Sequence, residues 1–109
     1  MLFRSKPIVS GEARIEEGVT FEGRSFIDAG AQVKAGAKIG PYTVLGRGVI
    51  VEEGAELQDT IVWPNTRIGP GAVVQGPIIG RNCHIGRNAS VKSRAVLGDK
   101  TLLTDFTSL

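Results

Sequence analysis

The sequence predicts an all-β fold, a parallel β-helix of about six triangular coils, on the strength of three regularities. Large apolar residues recur every six positions through nearly the whole chain, small residues precede most of them by two positions, and glycine or asparagine recurs between them. A spacing of six is neither the ~3.6 residues of a helical turn nor the alternation of a plain strand. It therefore describes a short straight segment followed by a corner, repeated along the chain.

The large apolar residues, here called ladder residues, mark one buried position in each straight segment. The step from one to the next is six residues, except for two steps of five that end at Val62 and Ile79. We expect a lead-in at residues 1–8, the β-helix at residues 9–103 and a tail at residues 104–109. The seventeen ladder residues are Val9, Ile15, Phe21, Ile27, Val33, Ile39, Leu45, Val51, Leu57, Val62, Ile68, Val74, Ile79, Ile85, Val91, Leu97 and Leu103.

Small residues occupy the position two before most ladder residues. Alternate residues of a strand point to the same side, so the small residue and the ladder residue both face the interior, and the residue between them faces outward. Three segments close one coil of about eighteen residues, and coils stack at ~4.8 Å, so that successive first, second and third segments build three faces. The small residues are Ala13, Ser25, Ala31, Ala37, Thr43, Ala55, Thr60, Thr66, Ala72, Cys83, Ala89 and Ala95.

The corners fall into two classes. Before the second and third faces, the residue three ahead of the ladder residue is glycine or asparagine in nine of eleven cases, and both residue types tolerate a positive φ. Before the first face that position is varied and both five-residue steps fall there, so we expect this corner to turn differently. The nine residues are Gly18, Gly30, Gly36, Gly48, Gly54, Asn65, Gly71, Asn82 and Asn88, with Glu12 and Lys100 as exceptions; the varied corner holds Lys6, Arg24, Tyr42, Asp59, Gly76 and Arg94.

The outward residues of the first face predict an interface. All of them are apolar, whereas the second and third faces mix charged, polar and apolar residues at the same positions. Such a column exceeds the few hundred Å² of contiguous apolar surface that monomers usually expose. We expect a subunit or domain interface, with self-association when the chain is alone. The predicted interface residues are Ile8, Phe26, Val44, Ile61, Ile78 and Val96, with Trp63 just beyond a ladder residue on the same side.

The charges are unevenly distributed along the chain. Residues 1–59 contain seven basic and nine acidic side chains, whereas residues 60–100 contain six basic side chains and only one acidic one, Asp99. The basic part could attract a sugar phosphate or nucleotide through Arg67, Arg81 and Arg87, although scattered solubilising charge explains the same pattern. Aromatic residues do not alternate with the basic ones, so a nucleic-acid partner is not expected.

Composition favours one cytoplasmic domain without a cofactor. The single cysteine, Cys83, cannot form a disulfide within the chain and lies at a small inward position. The N-terminal residues lack the apolar stretch of a signal peptide, and no apolar run is long enough to cross a membrane. The single histidine excludes a three-histidine metal site within one chain.

The hexads resemble those of the bacterial hexapeptide-repeat proteins, and this resemblance implies a left-handed β-helix. Residues 57–69, 76–80 and 95–99 look like the C-terminal domain of nucleotide-sugar pyrophosphorylases, especially the mannose-1-phosphate guanylyltransferase type. That family carries catalysis in an N-terminal α/β domain, and only about eight residues precede the hexads here. The resemblance therefore implies a non-catalytic domain for assembly or regulation, whose partner is a second copy or the catalytic domain. Gly46-Arg47-Gly48 fits a corner better than a phosphate loop.

Two alternatives remain open at this point. Acyltransferases of the same superfamily use a histidine, and His84 is the only candidate, on the second face about one coil above Arg67. It would act as a general base or hold a phosphate beside Arg81 and Arg87. However, no carboxylate at a matching position would orient the ring, and no inserted loop would build a cleft, so a solvent-facing histidine is expected. The other alternative is a purely structural β-helix.

Overall fold

The computed structural model describes residues 7–109, which form seventeen short strands joined by corners. These residues contain no helix, and hence none long and apolar enough to cross a membrane. The strands are β1 (Ile8–Val9), β2 (Arg14–Ile15), β3 (Thr20–Phe21), β4 (Ser25–Ile27), β5 (Gln32–Val33), β6 (Lys38–Ile39), β7 (Thr43–Leu45), β8 (Ile50–Val51), β9 (Glu56–Gln58), β10 (Thr60–Val62), β11 (Arg67–Ile68), β12 (Val73–Gln75), β13 (Ile78–Ile79), β14 (His84–Ile85), β15 (Ser90–Val91), β16 (Val96–Leu97) and β17 (Leu102–Leu103).

The strands stack into three parallel sheets, and each sheet takes every third strand. The first face is β1-β4-β7-β10-β13-β16, the second is β2-β5-β8-β11-β14-β17, and the third is β3-β6-β9-β12-β15. Ile61 lies in register with Val44 in the coil below and with Ile78 in the coil above. The chain is a left-handed β-helix of about five complete turns, with β16 and β17 beginning a further one. The predicted fold and threefold register are confirmed.

The core is the column of ladder residues inside the coils. From Ile27 to Val91 every ladder residue is buried, and the small residues from Ser25 to Ala89 are buried beside them. Val9 and Ile15, in the first described coil, are exposed, and among the described residues their strands pair on one side only. Inward threonines keep their hydroxyls paired, as most buried polar groups are, and that of Thr60 donates to the carbonyl of Pro77 at 2.6 Å; the buried hydroxyl of Ser25 is an exception among the described residues.

The corners confirm one prediction and confirm another only in part. All nine glycine and asparagine corners have a positive φ. The corner before the first face turns differently at Arg24 and Arg94, which lack a positive φ, as expected, but Tyr42, Asp59 and Gly76 share the positive φ of the other corners, with values of 61°, 51° and 102°. Lys100 also has a positive φ, 65°. At Tyr42, Asp59 and Lys100 the backbone adopts this conformation although a side chain other than glycine or asparagine disfavours it.

The stacking pattern continues into the predicted tail. The Ser90 amide donates to the carbonyl of Thr107 at 2.8 Å, and the Leu109 amide donates to the carbonyl of Ser90 at 2.7 Å. Residues 104–109 therefore pair with the coil beneath them. Most of the predicted lead-in, including the corner residue Lys6, lies outside the described residues.

Candidate functional site

The first face presents one continuous column of exposed apolar side chains. Register pairs place each outward residue of this face directly above the one in the coil below. Phe26, Ile61 and Ile78 are each about 40% exposed, and Ile8 and Val96 are more exposed at the ends, whereas Val44 is half-buried between its neighbours. Together with Trp63, these residues are called the apolar face below. All seven predicted interface residues thus share one surface.

Trp63 forms a projection at one edge of the apolar face. It directly follows β10, and the residues at the same place one coil below and one coil above are glycines, Gly46 and Gly80. Trp63 is 44% exposed, and the Arg81 guanidinium lies 5.3 Å from the centroid of its ring, a distance at which a cation and an aromatic face attract each other. Arg81 is therefore held next to the ring at this edge.

The opposite edge of the apolar face carries a notch. Asp59 and Gly76 lie at the two corners shortened by the five-residue steps, and the longer corners at Tyr42 and Arg94 stand below and above them. The resulting depression has a volume of about 460 Å³, and Ile61 lies in its apolar floor. An exposed ion pair, with Arg94 Nη2 3.5 Å from Asp59 Oδ2, spans Gly76. The two five-residue spacings between ladder residues were recognised in the sequence, but the notch that they produce on the surface was not predicted.

The second face holds a charged cluster built around Glu52. Glu52 is only 6% exposed, and its carboxylate accepts a hydrogen bond of 2.6 Å from Arg67 Nε, contacts Arg67 Nη2, and lies 3.5 Å from Lys34 Nζ. Two cations compensate the cost of burying the charge. Sequence reasoning missed Glu52; the available signal was the alternation of Glu16, Lys34 and Glu52 immediately after successive ladder residues of this face.

His84 lies beside this cluster with two of the three predicted anion-binding arginines. It is exposed, in register above Arg67, and both line a depression of about 360 Å³ together with Arg87. Arg81 is not part of this group, because it lies against Trp63. Glu52 and Asp105 also line the depression, which the sequence did not predict. Both carboxylates are engaged elsewhere, Glu52 by Arg67 and Asp105 by the Arg87 amide at 2.9 Å.

Metal ligands do not cluster in the described part of the chain. Residues 7–109 contain no group of three histidine, cysteine, aspartate or glutamate side chains placed to hold an ion. Within the same range, the His84 ring makes no hydrogen bond to another residue. The second-face depression can thus offer the positive charge of Arg87 to a small anion, but no described carboxylate hydrogen-bonds to the imidazole of His84 and orients it.

Comparison with known families settles the kind of domain. A sequence profile described as the GMPPB C-terminal domain matches residues 21–109. The chain belongs to this family. The match to the GMPPB C-terminal domain covers most of the hexapeptide coils, and it confirms the resemblance to the C-terminal domain of nucleotide-sugar pyrophosphorylases.

Known proteins similar to this GMPPB C-terminal domain are longer than it. Glucose-1-phosphate adenylyltransferase from Bacillus cereus is 33% identical over 72 residues, which make up 66% of this chain and 16% of that protein. The chain therefore spans about a sixth of the length of this curated relative.

Solved structures with the same coils include several acetyltransferases and an acyltransferase. The acetyltransferase domain of PglB from Neisseria gonorrhoeae has a TM-score of 0.56 at 22% identity, over 97% of this chain and 50% of that one. A variant of perosamine N-acetyltransferase from Caulobacter crescentus, in complex with CoA and GDP-perosamine, has a TM-score of 0.57 at 18% identity, over 97% and 49%. UDP-N-acetylglucosamine acyltransferase from Arabidopsis has a TM-score of 0.51 at 16% identity, over 94% and 57%. At these identities the likeness shows the fold alone.

Proposed function

We propose that the chain is the non-catalytic C-terminal β-helix domain of a sugar-phosphate nucleotidyltransferase, and that it joins subunits through its apolar face. The observation that carries the proposal is the apolar column on one face of three. Membership of the GMPPB C-terminal domain family supports the class of parent enzyme, and the adenylyltransferase relative supports a sugar phosphate as that enzyme's substrate.

The size of the apolar face fits a subunit contact. The six strands of the first face stack at ~4.8 Å in a coil that is 22 to 24 Å across, so one side presents on the order of 600 Å², the same order as the ~800 Å² that each partner buries in a standard interface. Removing apolar area from water contributes roughly 25 cal/mol per Å². That gross gain exceeds the lower estimates of about 4 kcal/mol for the entropy lost on association.

The other two faces are poorer candidates for a contact. The second face has Arg14, Arg67 and His84 among its outward residues, and the third has Lys38 and Glu56. Burying such groups costs free energy unless each finds a partner. A contact through the first face buries no formal charge in its central column, so the apolar face is the side on which association is favourable.

Acyl transfer at His84 is a second candidate, supported by one observation. His84, Arg67 and Arg87 line one depression on the second face, where a phosphate group would find positive charge. Arg67 is already paired with Glu52, and the imidazole lacks an orienting carboxylate, so the assembly role is better supported.

Light scattering on paired variants tests the assembly role. Val44→Lys with Ile61→Lys places two charges in the centre of the apolar face, whereas Ile50→Lys with Val73→Lys makes the same replacements at outward positions of the other two faces. We expect the wild type and the control pair to be larger than the 11.5 kDa monomer, and the Val44/Ile61 pair to be folded and monomeric. A wild type that stays monomeric at high concentration would overturn self-assembly.

A further inference from the structure

The projection and the notch lie at the same height on opposite edges of the apolar face. Trp63 follows β10, and its ring contacts Arg81 of the next coil, so it stands at the level of the fourth and fifth coils. Asp59 and Gly76, at the centre of the notch, precede β10 and β13 of the same two coils. One face therefore carries both a projecting ring and a recess at one level.

Symmetry decides which of these features meet when two copies pack face to face. A two-fold axis parallel to the coil axis preserves height and exchanges the two edges, so each Trp63 meets the partner's notch. A two-fold axis perpendicular to the coil axis reverses height and places each edge opposite the same edge of the partner. Trp63 then faces the partner's edge that carries Gly46 and Gly80, and not the notch. Only the parallel arrangement brings projection and notch together on both sides of an isologous contact.

Charge favours the same arrangement. Arg81 accompanies Trp63 at the projecting edge, whereas the notch carries the carboxylate of Asp59, which is half-exposed, lies 3.5 Å from the exposed Arg94 guanidinium and has room to accept a second cation. In the parallel dimer the guanidinium approaches the partner's carboxylate at the rim, while the ring covers Ile61 and Ile78 in the floor. Opposite charges at the rim set the register of a contact, and a large aromatic side chain in an apolar recess supplies its binding energy.

We propose that the partner of the apolar face is a second copy of this chain, packed parallel and side by side, with Trp63 of each copy seated in the Tyr42–Arg94 notch of the other. This inference rests on the proposed assembly role. The notch, at about 460 Å³, has room for an indole ring and part of a guanidinium. Trp63 is the anchor of the contact.

The single tryptophan of the chain reports directly on the contact. On dilution through the dimer dissociation range, the emission of Trp63 should shift to longer wavelength as the ring returns to water. Trp63→Ala should raise the dimer dissociation constant at least tenfold, as expected of a buried aromatic anchor, without changing the melting temperature of the monomer. The matched control is Phe106→Ala, which removes another exposed aromatic residue outside the apolar face. It should leave the dissociation constant unchanged.

A distance measurement separates the parallel from the antiparallel dimer. Arg47→Cys places a spin label at an exposed corner on the Trp63 edge, near the middle of the stack, and Cys83 is buried and should remain unlabelled. The parallel dimer exchanges the two edges and predicts a label separation comparable with the 22 to 24 Å width of the coil. An antiparallel dimer centred on the stack places the same edges together and predicts a much shorter separation. A dimer with the short separation, or with unchanged Trp63 emission, overturns this inference alone. A monomeric wild type overturns the assembly role as well.

Discussion

Truncating one ladder residue tests the inward and outward assignment of the whole chain. Ile68 is fully buried on the second face, with Val51 below it and Ile85 above it in register. The Glu52 amide donates to the Ile68 carbonyl at 2.9 Å, and the Gly69 amide donates to the Ile85 carbonyl at 2.7 Å. These bonds fix the spacing of the coils, so the structure cannot close around a missing side chain.

The cost of Ile68→Ala follows from that rigidity. Removing a buried isoleucine side chain costs about 2–5 kcal/mol, with the upper values where the cavity cannot collapse, and we expect about 4 kcal/mol here. At roughly 4–8 °C per kcal/mol for a domain of this size, the melting temperature should fall by about 16–32 °C. The matched control is Ile50→Ala, an outward isoleucine of the same face that is only partly buried. It should cost about 1 kcal/mol or less.

Denaturant titration followed by far-ultraviolet circular dichroism measures the free energy of unfolding of both variants. Both variants retain the apolar face, so association affects their unfolding equally. The difference between the two unfolding free energies is the informative quantity. Equal losses for Ile68→Ala and Ile50→Ala would mean that inward and outward residues are wrongly assigned.

Two further predictions concern single sites. Gly86→Ala should destabilise the fold strongly, because an added Cβ would lie 2.6 Å from the Asp105 amide nitrogen. The control is Gly98→Ala, whose added Cβ meets nothing within 4 Å and should change the melting temperature by only a few degrees. Similar melting temperatures for the two variants would contradict the close stacking of these coils. His84→Ala should leave the stability unchanged, because the imidazole is exposed and has no orienting carboxylate. For the same reason, it should not change the background release of thiol when the chain is incubated with acetyl-CoA and amino-sugar acceptors. Turnover that is lost in this variant would favour the acyltransferase alternative.

The sequence predicted the fold in detail because period and geometry are tightly linked in stacked coils. Because ladder residues recur every six positions, residues such as Ile39 and Ile68 can only face the interior. The buried positions could therefore be predicted directly from the spacing. The apolar face was equally visible, since Phe26, Ile61 and Ile78 are equivalent positions of successive coils.

Features that depend on side-chain conformation were not predictable in the same way. Arg81 precedes the second face in the sequence, but its guanidinium turns back to Trp63 on the first, so the expected group of three arginines is reduced to Arg67 and Arg87. The burial of Glu52 depends on two long cationic side chains reaching the same carboxylate. The spacing along the chain determines the position of each Cα atom, but it does not determine where the charged end of a long side chain lies.

The two shortened corners show where this architecture tolerates changes of length. The steps to Val62 and Ile79 each omit one residue, yet Leu45, Val62 and Ile79 remain stacked without a break. The omission is absorbed at one edge of the prism and leaves the interior unaltered. Deletions, and by the same reasoning short insertions, at this edge can therefore reshape the outer surface while the folding of the coils stays the same, which separates the evolution of surface contacts from that of stability.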